Sequence, residues 1–436
     1  MRSKAAAIVG ALLAGGGIVM SGQTPPADPY RAVAEKYVKL VLAVGQHDAD
    51  YVDAFYGPAE WRKDAEAAKK PLPAIDTEAA ATEAQIAAIT FKPDPSDAEI
   101  WTLRKQYLTR QLAALRTRVS MLQGKKLSFD AESQALYDAV APVKPESEFQ
   151  VVLAQLAAML PGDGPLIDRY DRFKQSFVIP KNRLDRVFQQ AIRSCRERTP
   201  SLNLPINERF TLEYVTNKSW SGYNWYQGNF KSLIQVNTDL PIYIDRAIDL
   251  ACHEGYPGHH VYNALLEKNL VTDRGWIEYT VYPLFSPQSL IAEGTANYGI
   301  EVAFTRPDRL AFEREVLFPI AGFDPARVVD YYTVLDLVDH LSYAGNEAAR
   351  NYLDGKIDRA AAIAWLEKYA LYTTPRAEQR LKFIEQYRSY VINYNLGKDL
   401  VRSYVEKKVG RDNTPQRRWR EFIALLMSPR LPSGLK

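Results

Sequence analysis

The chain has 436 residues, of which 47% are hydrophobic and 25% charged. Such a composition excludes a disordered chain and fits one large domain or two to three smaller ones. Lys plus Arg number 55 against 52 for Asp plus Glu, so no basic field asks for nucleic acid. The only cysteines, Cys195 and Cys252, exclude a disulfide framework and a four-cysteine zinc site but leave one disulfide open. Of the five histidines, His253, His259 and His260 fall within eight residues.

Arg2 and Lys4 precede an apolar stretch from Ala5 to Met20, followed by Ser21 and Gly22. A positive start, a short apolar run and a small-residue exit predict a signal peptide over 1–22 and a periplasmic or secreted body. The run is shorter than the ~20 residues a spanning helix prefers, which argues against stable membrane insertion after its removal. A retained single anchor is the alternative. No cysteine lies near the exit for lipid attachment.

From 23 to 200 the pattern is helical, with faces such as Ile100-Leu103-Tyr107-Leu108-Leu112-Leu115 and breaks at Pro71-Leu72-Pro73 and Pro93-Asp94-Pro95. This part holds one histidine, His47, and no catalytic constellation is expected in it. Phe210–Val215 and Ser232–Asn237 alternate and are rich in β-formers, which predicts two strands. Trp220–Phe230 between them reads as an aromatic loop, either a substrate flap or a packed hairpin loop. Beyond Tyr243 long amphipathic stretches return near 288–305, 327–352 and 376–408. The basic run from Lys407 to Arg420 reads as a solvated face. The expected fold is mainly α, with a small β element before the metal-binding helix, and 201–436 as the catalytic part of a single compact domain.

That helix carries Cys252-His253-Glu254-Gly255-Tyr256-Pro257-Gly258-His259-His260. In H-E-x-x-H two histidines on one helix face share a zinc ion and the Glu acts as general base. Here Pro257 occupies the i+4 position. On an unbroken helix i+6 lies about 120° round and ~9 Å along, and i+7 over ~10 Å along, whereas two zinc-bound nitrogens must lie within about 4 Å. Pro257 and Gly258 can break or bulge the helix so that His259 reaches the missing position. His260 stays open as the other candidate. Cys252 points off the His253 face and reads as a small buried apolar residue.

A third ligand is required. Glu293, 34 residues past His259, lies in Ile291-Ala292-Glu293-Gly294-Thr295-Ala296-Asn297-Tyr298-Gly299-Ile300-Glu301. A second helix there completes a two-His, one-Glu site with an open position for water, where Glu254 takes the proton. Glu301, more than two turns on, is a candidate to orient a ligand.

His253, Glu254, Pro257, Gly258, His259 and His260, then Glu293, Gly294, Ala296, Tyr298 and Glu301, carry a resemblance over roughly 205–405. The sequence resembles an uncharacterised bacterial family, the domain of unknown function numbered 885, itself similar to the helical gluzincin metallopeptidases. The resemblance implies zinc at His253, His259 and Glu293 with Glu254 as base. Tyr394-Asn395-Leu396-Gly397 is similar to the family's Tyr-x-x-Gly element, which makes Tyr394 the candidate oxyanion donor, with His340 and Arg388 behind it. The family's Asp-x-Gly-x-His is replaced by Asp354-Gly355-Lys356-Ile357-Asp358, without the histidine. The implied function is an exported zinc-dependent hydrolase of short peptides. The alternatives are a zinc amidase on a cell-wall or other small amide, and an inactive peptide-binding protein.

Overall fold

The computed structural model describes residues 28–436, so the expected signal peptide lies outside the described residues. Among the described residues the chain is mainly helical with two small sheets. Among the described residues no helix is long and apolar enough to cross a membrane.

The elements that frame the site are α1 (Arg31–Val44), β1 (Val52–Phe55), α2 (Ala98–Leu122), α3 (Lys181–Arg198), β2 (Arg209–Val215), β3 (Gly222–Gly228), β4 (Lys231–Asn237), α4 (Ile244–Leu250), α5 (His259–Leu266), β5 (Val281–Pro283), α6 (Pro287–Ala303) and α7 (Ile392–Val409). On α2 the predicted apolar face is real, with Tyr107, Leu108, Leu112 and Leu115 buried. One hydrophobic core runs from Tyr30 to Leu435, joining both ends of the described chain.

The stretch at 288–305, read as amphipathic, is instead buried on nearly all sides, with Asn297, Ile300 and Glu301 the only partly exposed residues of α6. A helix that is apolar or small-sided all round is a central helix. α6 packs along α7 so closely that a Cβ on Gly294 would sit 2.4 Å from the Gly397 carbonyl oxygen.

The aromatic loop is corrected by the structure. Gly222–Gly228 is a strand, paired antiparallel with β4, while β2 pairs parallel with β4, giving the order β2-β4-β3. The alternation is present, but its buried positions carry Asn224, Tyr226 and Gly228 rather than aliphatic residues, so the usual apolar period is hidden. Asn229 and Phe230 both take positive φ (53° and 59°) in the turn, as tight hairpins require. Buried Glu267 holds this turn, accepting from the Tyr226 hydroxyl at 2.5 Å and the Asn229 amide at 3.0 Å.

Cys195 of α3 and Cys252 form a disulfide. Cys252 is therefore buried as predicted, but as a crosslink rather than a free apolar side chain. Closing a separation of 57 residues stabilises the fold by about 4 kcal/mol on chain-entropy grounds, and it ties the residue next to His253 to α3.

Candidate metal centre

α4 runs into a π-helical turn, Ala251–Gly255, that carries His253 and Glu254. The helix then breaks at Tyr256-Pro257, a cis peptide, and restarts as α5 at His259. The Gly258 amide donates to the Cys252 carbonyl at 2.9 Å. A Cβ on Gly258 would lie 1.9 Å from the His253 carbonyl oxygen, so the chain can fold back here only with glycine. The break brings His259 Nε2 to 3.1 Å from His253 Nε2, with the two rings nearly perpendicular at 87°.

Glu293 reaches the same point from α6. Its Oε2 lies 3.3 Å from His253 Nε2 and its Oε1 3.7 Å from His259 Nε2. Four-coordinate bonds of ~2.0–2.1 Å set neighbouring donors roughly 3.4 Å apart, and these separations bracket that value. The three donor atoms lie within 4.8 Å of one another. Glu293 is 6% exposed, and its Oε2 is buried with no hydrogen-bond partner. An orphaned carboxylate oxygen is costly in the interior unless a cation or donor meets it, so the donor set fits a divalent metal ion. The other oxygen accepts from the Tyr390 hydroxyl at 2.7 Å.

Asn297, one turn beyond Glu293, was not foreseen. Its Nδ2 donates to the Tyr394 carbonyl at 3.1 Å, which turns its Oδ1 toward His253 Nδ1 at 3.1 Å. That oxygen can only accept, so His253 carries its proton on Nδ1 and presents a bare Nε2 to the cluster. Burial alone would lower the His259 pKa, but the Glu293 carboxylate beside it wins and pushes it up to about 9. Burial likewise opposes ionisation of Glu293, but His259 and His253 hold its carboxyl well below the usual range. Glu254 is buried, and that burial raises its pKa despite the pull of the two histidines. Its backbone carbonyl accepts from Asn224 Nδ2 of β3 at 2.7 Å.

These residues line a cleft of about 970 Å³, and so does Tyr394. The Tyr394 ring stands 5.8 Å from the Tyr390 ring, and the Arg380 guanidinium lies 6.0 Å from it on the cleft wall. Burial raises the Tyr394 phenol well above its ordinary pKa.

The remaining candidates lie elsewhere. His260 is fully buried, bonded to Ser232 Oγ at 2.8 Å and to Glu208 at 2.6 Å, and points away from the cluster. Glu301 pairs with Arg402 and does not orient a ligand; eight residues place it over two turns from Glu293. Exposed His340 ends a helix, and Arg388 pairs with Glu132 at 2.8 Å. Asp354 accepts from the Phe129 amide.

The N-terminal part, in which no catalytic constellation was expected, supplies Asp53 from β1. Asp53 lines the cleft and accepts a hydrogen bond from Tyr223 of β3. Burial raises its pKa to about 6 against the opposing effects of Tyr223 and His259. β1 arrives there by pairing with β5, a ladder no local pattern announces.

No family model matches the chain and no curated protein does, so neither confirms the family resemblance drawn from the motifs. Solved structures similar to it include a candidate lipoprotein from Colwellia psychrerythraea, at 14% identity and TM-score 0.49, covering 83% of this chain and 65% of that one. This chain therefore spans about two thirds of that protein's length. Metallocarboxypeptidase 1 of Trypanosoma cruzi shares 12% identity at TM-score 0.42, covering 92% and 90%. A candidate lipoprotein of unknown function from Shewanella oneidensis shares 13% at TM-score 0.41, covering 91% and 82%. Likenesses this distant assign no chemistry to the chain, which rests on the geometry of its own side chains.

Proposed function

We propose that this protein is an exported zinc-dependent hydrolase that cleaves peptide bonds of short peptides. The observation that carries the reading is the convergence of His253, His259 and Glu293 at tetrahedral donor spacing, with the buried Glu254 carboxyl beside them. Two imidazoles and one carboxylate leave a fourth position open, as in hydrolytic zinc sites. Bound zinc supplies a Lewis acid that acidifies water and polarises a carbonyl.

The protein's own residues do the rest. Glu254 takes the proton from the attacking water and delivers it to the leaving amine; its raised pKa suits both transfers. Tyr394 donates a hydrogen bond from its hydroxyl to the carbonyl oxygen as negative charge develops there. Tyr390 and Asn297 fix Glu293 and His253 in place. A cleft of about 970 Å³ has room for a short peptide.

The test is metal analysis joined to turnover. Purified protein should hold one zinc ion per chain, and Glu254→Gln should keep the metal while losing peptide hydrolysis by roughly 10² or more. Peptides with free and blocked termini separate exo- from endopeptidase action. Protein that takes up no metal, or a Glu254→Gln variant with undiminished turnover, would falsify the proposal.

A further inference from the structure

Asp53 differs from inward-facing carboxylates such as Asp245 and Glu278 in what meets it, and from Glu267, which three donors hold, in having one. Asp245 faces Lys174 Nζ at 3.1 Å, and Glu278 faces the Arg104 guanidinium. Asp53 meets the Tyr223 hydroxyl, and the groups acting on it most strongly besides that are His259, Glu293 and Glu254, with no lysine or arginine among them. It opens into the same cleft as the metal cluster. A half-buried carboxylate with one neutral donor is under-compensated and favours a cation that arrives from outside.

Behind Asp53 the path is closed, because β1 pairs with β5, all three of whose residues are buried, and Tyr51 and Phe285 fill the core there. A packed wall behind Asp53 suits a group that ends there.

We propose that Asp53 binds the α-ammonium group of a short peptide, so that the bond presented to the metal cluster is close to a free N-terminus. The inference rests on the peptidase reading above, and it makes Asp53 a specificity residue rather than a catalytic one. An N⁺–H···O⁻ contact of ~2.7–2.9 Å gives such a group a charge-assisted bond. A lysine side chain shares this chemistry, and peptides without lysine separate the two sources.

The test uses the zinc-loaded full chain carrying Glu254→Gln, so that ligands are not consumed. Binding of Ala-Phe and of N-acetyl-Ala-Phe is measured by calorimetry, with and without Asp53→Asn, which keeps an oxygen for Tyr223. Acetylation should weaken binding roughly tenfold or more when Asp53 is present, and Asp53→Asn should abolish that difference. Equal affinities for the two peptides with Asp53 intact, no measurable binding of either, or a preference that survives Asp53→Asn would each overturn the proposal. The first comparison needs no variant at Asp53, so the test survives a variant that folds poorly. Hydrolysis by the unaltered chain is read separately. An Asp53-dependent preference without hydrolysis of any peptide would sink the peptidase reading and leave the anchor standing.

Discussion

Gly294→Ala puts the assembly of the site to a direct test. Gly294 follows Glu293, the proposed metal ligand, on α6, and its Cα faces Gly397 of α7. An added Cβ would lie 2.4 Å from the Gly397 oxygen, 2.5 Å from its carbonyl carbon and 2.9 Å from its Cα. All three neighbours are backbone, so no side chain can rotate away. Reaching an ordinary 3.4 Å contact requires a shift of 3.4 − 2.4 = 1.0 Å between the helices. Overpacking of this kind costs ~1–3 kcal/mol, while Gly to Ala inside a helix returns ~1 kcal/mol, and backbone contact favours the upper end, leaving a net loss of about 1–2 kcal/mol. The effect on the metal should be sharper. Ligand distances tolerate only about 0.2 Å, and the shift moves Glu293 on one helix relative to Tyr390 in the turn that leads into the other. Metal affinity should fall by roughly 10–100-fold, read by competition with a chromophoric chelator, beside a modestly lowered melting temperature. A variant with parental metal affinity and parental melting would show that the glycine contact does not position the site.

Asn297→Leu removes the acceptor that fixes the His253 tautomer and should weaken metal binding by roughly 10–100-fold with little change in melting, again read by chelator competition. Metal binding to the metal-free chain at pH 7 should release about one proton, because His259, raised to about 9, starts protonated and must lose its proton to bind; calorimetry in buffers of different ionisation enthalpy measures it, and zero release refutes it. Glu313 is fully buried, and burial raises its pKa from 4.5 to about 8 against the pull of Arg309. The folded state then holds the proton more tightly than the unfolded state, so stability is full below pH 4.5 and is lost as pH climbs toward 8. Glu313→Gln should flatten urea-denaturation stability across that window; an unchanged slope would contradict it.

The reach of the sequence depended on how local each feature was. The α2 face and the proline breaks follow from the 3.6-residue period and from proline chemistry, both carried within a few residues. The need for a distortion at Pro257-Gly258 was legible because two histidines six apart cannot share an ion on a straight helix, and the π-turn with Gly258 folded onto the His253 carbonyl meets that need. The choice between His259 and His260 was not legible from spacing alone. It turns on Ser232 and Glu208, which capture His260 from a sheet and a loop far back in the chain. Asn297 had a usable signal, since it stands four residues after Glu293 on one helix face, one turn nearer than Glu301. β3 was missed because asparagine, tyrosine and glycine occupy its inward positions.

Asp53 had no local signal. Its strand is four residues long, and its register is set by Val281–Pro283, more than 200 residues away. Once that ladder forms, β1 lies against β3, Tyr223 can reach Asp53, and a carboxylate from the N-terminal part stands in the same cleft as two histidines and two glutamates from the C-terminal part. Periodicity specifies which face of an element is buried, but a two-strand pairing between distant segments is decided by what the intervening helices bury. The charge of the site therefore depends on α1, which packs against both β5 and the segment at 277–280, as much as on the helices that carry the histidines.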